Sequence, residues 1–562
     1  MLLSLSTAAA HDFIVVGGGV AGSVVCDRLV SGTSSPTSIL LLESGGPGHY
    51  VNGGRTPPPF DDATLVEPNQ LTKFDVPGEY SSIAWNPAYD AYKQPEIGLG
   101  WQANVLGGGG LVSGALTMRP PSFDLDRMPS GWRSALEAQF DRLEQELHVT
   151  STPSTDGLSY GGETRDILAA GMSQLYGTPT VGLNADPDGR ENTLSIPTVT
   201  ALNGQRQSSA SFHLERAKAS GRLELRLQAT VTRLLINAAG DATGVLYTDS
   251  SGASQTAQLN PGGRVILTAG ALATPRLLWL SGVGPLDELS NLAATGRLNG
   301  VSTRIDSPGV GAYLSDHTIS TLTFKVPGSL APDSTISTYL ASRTGVLTQY
   351  APTAVGYLRC ETCSSAEEDV EIFIGPAGND AGGVTSTFTI SLMLLSSVTE
   401  SKFAFQGSDN TKSFVADYGK LYMTDERDID VMASAASKTI NAVLAANSGV
   451  SVQQFGQNDW GPLNACDTAD GHCAPGVAPS MDSIRNWLNN GWSAASNNRG
   501  QTNHFSGTCA LGECASATDA LVQGLSNVHV ADASLLRHQL RAHPVLTVMA
   551  LASEVAKRVL PP

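Results

Sequence analysis

The sequence predicts an α/β protein in two parts: a dinucleotide-binding domain gathered from discontinuous segments, and an α+β part on an antiparallel sheet. Three observations lead there. The chain opens with a strand, a glycine turn and a helix in "HDFIVVGGGVAGSVVCDRLV". The same grammar returns in "GRVILTAGALATPRLLWLSGVGP" and in "NVHVADASLL" with the helix behind it. Between about 320 and 495 the texture changes to strands and helices that do not follow this grammar.

The first turn carries Gly17, Gly19 and Gly22, a G-x-G-x-x-G. The first glycine makes the tight turn, the second lets a pyrophosphate approach the backbone, and the third lets helix pack on strand. Free N–H groups at the helix start then bind phosphate. A second apolar run, "SILLLESGG", ends in Glu43, 21 residues after Gly22. An acid at the tip of the second strand is placed to bind a ribose hydroxyl pair. Together these features predict a Rossmann-like nucleotide site.

In "NVLGGGGLVSGALTMRP", Gly107 to Gly110 would let the backbone pass close to a flat ring. "RLELRLQATVTRLLI" reads as an alternating strand pair. Val265 to Leu267 then form a buried strand, followed by a small-residue turn and a helix stopped by Gly282. "SPGVGAYLSDH" is a Pro/Gly loop. In the second texture, "STFTISLMLLSSV" and "KFAFQGSDN" read as strands, "DIDVMASAASKTINAVLAA" and "SMDSIRNWLNNGW" as helices. Asp532 ends the strand of "NVHVADASLL", and a final helix runs from Val545 to Leu560. The expected division is 11–52, 95–130, 200–320 and 495–562 for the nucleotide domain, and 53–94, 131–199 and 321–494 for the substrate part.

His543 precedes Pro544 at the mouth of that last helix. Ser, Thr, Asp or Asn is usual there, and histidine is a poor cap. Pro544 suits the first helical position, because it has no N–H to leave unpaired. His543 would then sit at the positive end of the helix dipole, where a cation is disfavoured and a neutral imidazole is kept.

Bulk properties set limits. The chain has 562 residues, 41% hydrophobic and 15% charged, which implies a packed core. A net charge of -18 disfavours nucleic acid and anionic lipid as partners. No apolar run approaches the roughly 20 residues that span a bilayer. The start, "MLLSLSTAAA", is apolar but lacks a basic region and is too short to count as a secretory signal. Six of seven cysteines form close pairs: Cys360 and Cys363, Cys466 and Cys473, Cys509 and Cys514. Paired spacing points to short-loop disulfides and a secreted, extracellular protein. The alternatives are free thiols, other pairings, or a metal site at "CETC", for which no second C-x-x-C or nearby histidine completes a set. Cys26 falls in a buried helix, and the chain has no N-x-S/T sequon.

Six ordered blocks resemble the GMC (glucose–methanol–choline) flavoprotein oxidoreductases: "DFIVVGGGVAGSVVCDRL", "LLLESGG", "LGGGGLVSGAL", "GRVILTAGALATPRLLWLSGVGP", "PGVGAYLSDH" and "NHFSGTCALG…NVHVADASLL…AHPVLTVMALASEVA". Within the family, "LTKFDVPG", "STPSTDG" and the Asn503-His504 pair look most like the flavin domain of cellobiose dehydrogenases. Ser44-Gly45-Gly46 after Glu43 is likewise the form found in FAD proteins. The resemblance implies FAD and no metal. It puts Gly17, Gly19, Gly22 and Glu43 at the ADP half, Gly109 and Ser113 in the ring-covering block, Val231 at the adenine end, and Asp532 and Ala533 near the diphosphate and ring. It makes His504 and His543 a catalytic pair and Asn503 a substrate contact. Ser113 stands where the family usually has Asn, and Val112 offers no histidine for a covalent flavin, so FAD is expected to be noncovalent. Cellobiose dehydrogenases have Asn where His543 stands; a His–His pair resembles aryl-alcohol and glucose oxidases.

The expected activity is oxidation of a CH–OH group, in a sugar hemiacetal or a primary or aryl alcohol. Flavin N5 takes the hydride and a histidine takes the hydroxyl proton. O2 or a quinone would accept the electrons. The alternative is a relative of the FAD-containing hydroxynitrile lyases, without net redox chemistry. His213, His317 and His538 are expected to be structural or on the surface.

Overall fold

The computed structural model describes residues 10–33, 37–55, 69–80, 102–330, 336–350, 352–363, 370–374, 385–395, 401–405, 414–416, 421–423, 425–447, 449–453, 473–490 and 500–560, with isolated positions between them. The ends of "KFAFQGSDN" and "SMDSIRNWLNNGW" lie outside these residues.

Strand β1 (His11–Val16) and helix α1 (Val20–Gly32) follow the predicted opening. Ile14 and Val15 are wholly buried, as a parallel strand covered on both faces requires. β1 pairs in parallel with β2 (Ile39–Leu42), and β2 with β3 (Leu223–Arg226). On the other side lies the end of β6 (Ser254–Leu267), with Arg264 to Leu267 opposite Phe13 to Val16. The short strand Val528–Val530 pairs in parallel with β6 in turn. Chain direction therefore diverges between β1 and β6. A crevice opens at the carboxyl ends of strands at such a switch point, where ligands bind in sheets of this kind.

The two strands of "RLELRLQATVTRLLI" form, but at opposite ends of the sheet. β3 joins β2, whereas β4 (Thr230–Ile236) pairs antiparallel with β5 (Ala242–Thr248). Between them the chain crosses the end of β2, where the N–H groups of Gln228 and Ala229 donate to the carbonyls of Gly45 and Glu43. β6 is longer than the sequence suggests. Its first half pairs antiparallel with β5, and its solvent-facing polar residues hide that half from a reading based on apolar runs.

The second sheet is antiparallel. β7 (Thr318–Leu330), β10 (Thr385–Leu394), β9 (Val370–Ile374) and β8 (Ala354–Leu358) are neighbours in that order. Val370, Ile372 and Ile374 face a core shared with helix α3 (Glu426–Ala446). By the period of two, Glu371 and Phe373 face the opposite way, with Tyr357 and Met393 opposite Glu371 on the flanking strands. Gly500–Gln501, within the segment expected in the nucleotide domain, pairs with β7 of this sheet.

Helix α2 (Gly270–Leu280) follows β6. The last helix, α4 (Val545–Val559), packs on α1. Pro544 is its cap residue, so His543 lies one position further out than expected. Pro544 nonetheless has helical dihedrals (φ -77°, ψ -11°), and its carbonyl accepts from Val548 N–H at 2.8 Å. All three cysteine pairs are at disulfide distance, with Cα–Cα of 5.4, 5.0 and 4.7 Å, and Cys26 is a buried free thiol. No described helix is long and apolar enough to cross a membrane.

Candidate active site

The first turn is built for close approach. Gly17 has φ +102°, a left-handed conformation that side chains disfavour. A Cβ on Gly22 would stand 1.9 Å from the Gly17 carbonyl oxygen, so no side chain fits there. Gly19 caps α1 without any side-chain bond, which leaves the first-turn N–H groups for a ligand. Glu43 is buried. Its Oε2 accepts from Gly18 N–H at 2.6 Å and its Oε1 from Gly45 N–H at 2.7 Å. Burial pushes its pKa up, against the pull of those N–H groups. Val231 lies two residues beyond Ala229, whose N–H bonds the Glu43 carbonyl. We expect Gly22→Ala to yield colourless protein that takes up no yellow colour at micromolar FAD, read as the ratio of visible to ultraviolet absorbance.

The second glycine block lies against the first. A Cβ on Gly108 would be 2.9 Å from Gly19 Cα, whereas one on Gly109 would meet nothing within 4 Å among the described residues. Ser113 Oγ accepts from Ala115 N–H at 3.3 Å, and the Ser113 carbonyl accepts from the buried Arg206 at 2.8 Å. One cleft is lined by Val20 of α1, Gly110 and Ser113 of this block, and Val545 and Met549 of α4. Three distant segments thus meet at one cleft, and the open backbone and uncapped helix start fit FAD.

Asp532 is committed to backbone anchoring. It accepts from Gly270 N–H (2.8 Å), Thr274 Oγ1 (2.7 Å) and Ser534 N–H (2.9 Å), and burial raises its pKa. Ala533 follows at the start of a short turn, where its carbonyl accepts from Gly507 N–H.

Two residues before Val545 stands His543. Its ring centroid is 4.7 Å from that of His504. His543 Nε2 lies 2.9 Å from Oε1 of Glu371, a fully buried side chain whose Oε2 has no partner among the described residues. Phe373 meets His543 edge-on at 6.4 Å. His504 Nδ1 faces His317 Nδ1 at 2.9 Å. Burial lowers His504 well below the ordinary histidine value, helped by His543 and His317. Burial pushes His317 down to about 3. Asp316 holds the His504 loop: Oδ1 accepts from His504 N–H at 2.7 Å and from Thr502 Oγ1 at 2.6 Å. Asn503 has φ +60°, and its buried Oδ1 has no partner among the described residues. A left-handed backbone and an unpaired buried acceptor therefore stand next to the histidine cluster.

The sequence pairs His504 with His543 but does not point to Glu371; His317, expected to be structural or on the surface, is buried and its Nδ1 meets that of His504. Each left a signal: a lone acid in the apolar strand "VEIFI", and a histidine after Asp at the mouth of a strand.

A family model described as GMC oxidoreductase matches residues 11–319, and a second with that description matches residues 399–552. The glucose methanol choline oxidoreductase atC of Aspergillus terreus is 25% identical over 621 residues, spanning 99% of this chain and 93% of its own. The glucose dehydrogenase [FAD, quinone] of Drosophila melanogaster is 25% identical over 574 residues, spanning 94% and 83%. A formate oxidase of Aspergillus oryzae shares the fold with a TM-score of 0.73 over 99% of both chains, at 17% identity. A fungal aryl-alcohol oxidase does so with a TM-score of 0.64 over 98% of each, also at 17% identity.

Proposed function

The chain belongs to the GMC oxidoreductase family and is an FAD-dependent oxidoreductase, and on that premise we propose that it oxidises the CH–OH group of a sugar hemiacetal or of a primary or aryl alcohol. The observation that carries this reading is the His504–His543 pair, with ring centroids 4.7 Å apart and His543 only two residues before Val545, which lines the cleft shared by the glycine turns and α4. Bound FAD supplies the two-electron acceptor for the hydride, and O2 or a quinone would receive the electrons afterwards.

The chain's own residues handle the proton. His504 is kept neutral by burial, so it accepts the hydroxyl proton as the C–H bond breaks. His543 orients the hydroxyl, and Glu371 fixes its ring through the 2.9 Å contact at Nε2. Asn503 offers its unpaired Oδ1 to a second hydroxyl of the substrate. Glycines 17, 19, 22 and 109, with Glu43, Ser113, Val231, Asp532 and Ala533, form the FAD cradle, held without a covalent link because Val112 gives no nucleophile. Residues 321–494 would set substrate choice. Three disulfides suit an oxidising compartment and a secreted protein.

The test is an anaerobic screen of sugars and of aliphatic and aryl alcohols against the yellow holoprotein. We expect at least one to bleach the flavin, and admission of air to restore the colour if O2 is the acceptor. A flavin that stays yellow with every alcohol, while the protein cleaves cyanohydrins, would overturn oxidation in favour of lyase chemistry.

A further inference from the structure

As a base, His504 must present a lone pair to the substrate, and the nitrogen that carries it has to be fixed. A neutral imidazole carries one proton, on either nitrogen, and the partner of one nitrogen decides the fate of the other. The partner of His504 Nδ1 is His317 Nδ1, at 2.9 Å, with the two rings edge to face. At that distance one Nδ1 donates and the other accepts.

Two arrangements exist. If His317 donates, His504 carries its proton on Nε2 and cannot act as a base there. If His504 donates, its Nε2 holds the lone pair and His317 carries its own proton on Nε2. His317 Nε2 is buried with no hydrogen-bond partner among the described residues, so the choice between the two arrangements falls to what His504 must do. Among the described residues no other group competes for either Nδ1. His543 turns its Nε2 to Glu371, and Asp316 spends its oxygens on Thr502, Tyr422 and the His504 backbone.

The geometry points to His317 as the positioning residue that sets the base. It accepts a hydrogen bond from His504 Nδ1–H and so leaves His504 Nε2 free to take the substrate's hydroxyl proton. The inference rests on the reading of His504 as the base. After transfer His504 is an imidazolium, and its Nδ1–H donates to His317 as a charge-assisted bond, stronger than before. Asp316 and His317 thus hold one residue twice, one through its backbone and the other through its ring. This accounts for an Asp-His dipeptide at the entry to β7.

The experiment uses FAD-loaded protein labelled with 15N-histidine, with His504→Gln identifying the His504 resonances. We expect wild-type His504 to carry its proton on Nδ1. In His317→Leu both tautomers should be populated, and anaerobic flavin reduction should slow by about tenfold or more with FAD content unchanged. His317→Asn, whose carbonyl replaces the Nδ1 acceptor, should restore the single tautomer and most of the rate. Wild-type His504 protonated on Nε2 would overturn the inference whether or not the protein oxidises alcohols. So would a His317→Leu protein with the tautomer unaltered. The expected tautomers in a protein that no alcohol reduces would sink the proposed function and leave the assignment of His317 standing.

Discussion

Replacing His504 with alanine is expected to slow anaerobic flavin reduction by about a hundred- to ten-thousand-fold, the range that a positioned general base contributes. FAD should stay bound, because the glycine turns and the uncapped start of α1 lie on other segments of the chain. The loss should appear in the rate of reduction at saturating substrate more than in the concentration that saturates it. His543→Ala should cost less, since in the proposed mechanism that ring orients the hydroxyl while His504 takes the proton. Stopped-flow bleaching of the two variants measures both effects. Equal rates for wild type and His504→Ala would remove the base from the mechanism.

Asp124→Ala is expected to lower stability by about 3–5 kcal/mol, the usual cost of stranding one partner of a buried ion pair. Asp124 and Arg541 are both buried, and Oδ1 of Asp124 accepts from Arg541 Nη1 at 2.8 Å. The Arg541 backbone N–H also donates to Asp124, and the Arg541 carbonyl accepts from the buried Arg190 at 2.7 Å. Burial raises the Asp124 pKa against the pull of Arg541. Alanine therefore removes the carboxylate that bonds both the Arg541 guanidinium and its backbone N–H, and loosens the loop that carries His543, two residues on. Urea unfolding followed by tryptophan fluorescence measures the loss. Asp124→Leu combined with Arg541→Met should recover much of it, because no lone charge stays buried. An unchanged urea midpoint in Asp124→Ala would show that the pair is not buried as described.

Much of this was legible in the sequence, for local reasons. The strand–turn–helix openings repeat, and Gly17, Gly22 and Gly108 sit where backbone meets backbone, so β1, α1, β6, α2 and the cleft between them could be read. The two histidines could be read as a pair only through the family resemblance, because nothing local joins position 504 to 543. Glu371 and His317 were hidden for another reason. Each touches a ring from a distant segment, and such a contact leaves no period in the chain. The placement of β3 and β4 at opposite ends of the sheet was hidden likewise, since a three-residue crossing looks like a hairpin until the pairing of β2 is known.

Gly500 and Gln501 are zipped to the start of β7, opposite Ile319 and Thr318, three residues before His504. β7 in turn is the backbone neighbour of β10 along most of its length. In the proposed function the proton-accepting ring therefore hangs from the same framework that shapes the substrate's surroundings. A loop exchanged between relatives to alter preference would tug on this tether, so selectivity and turnover in this scaffold should prove hard to engineer separately.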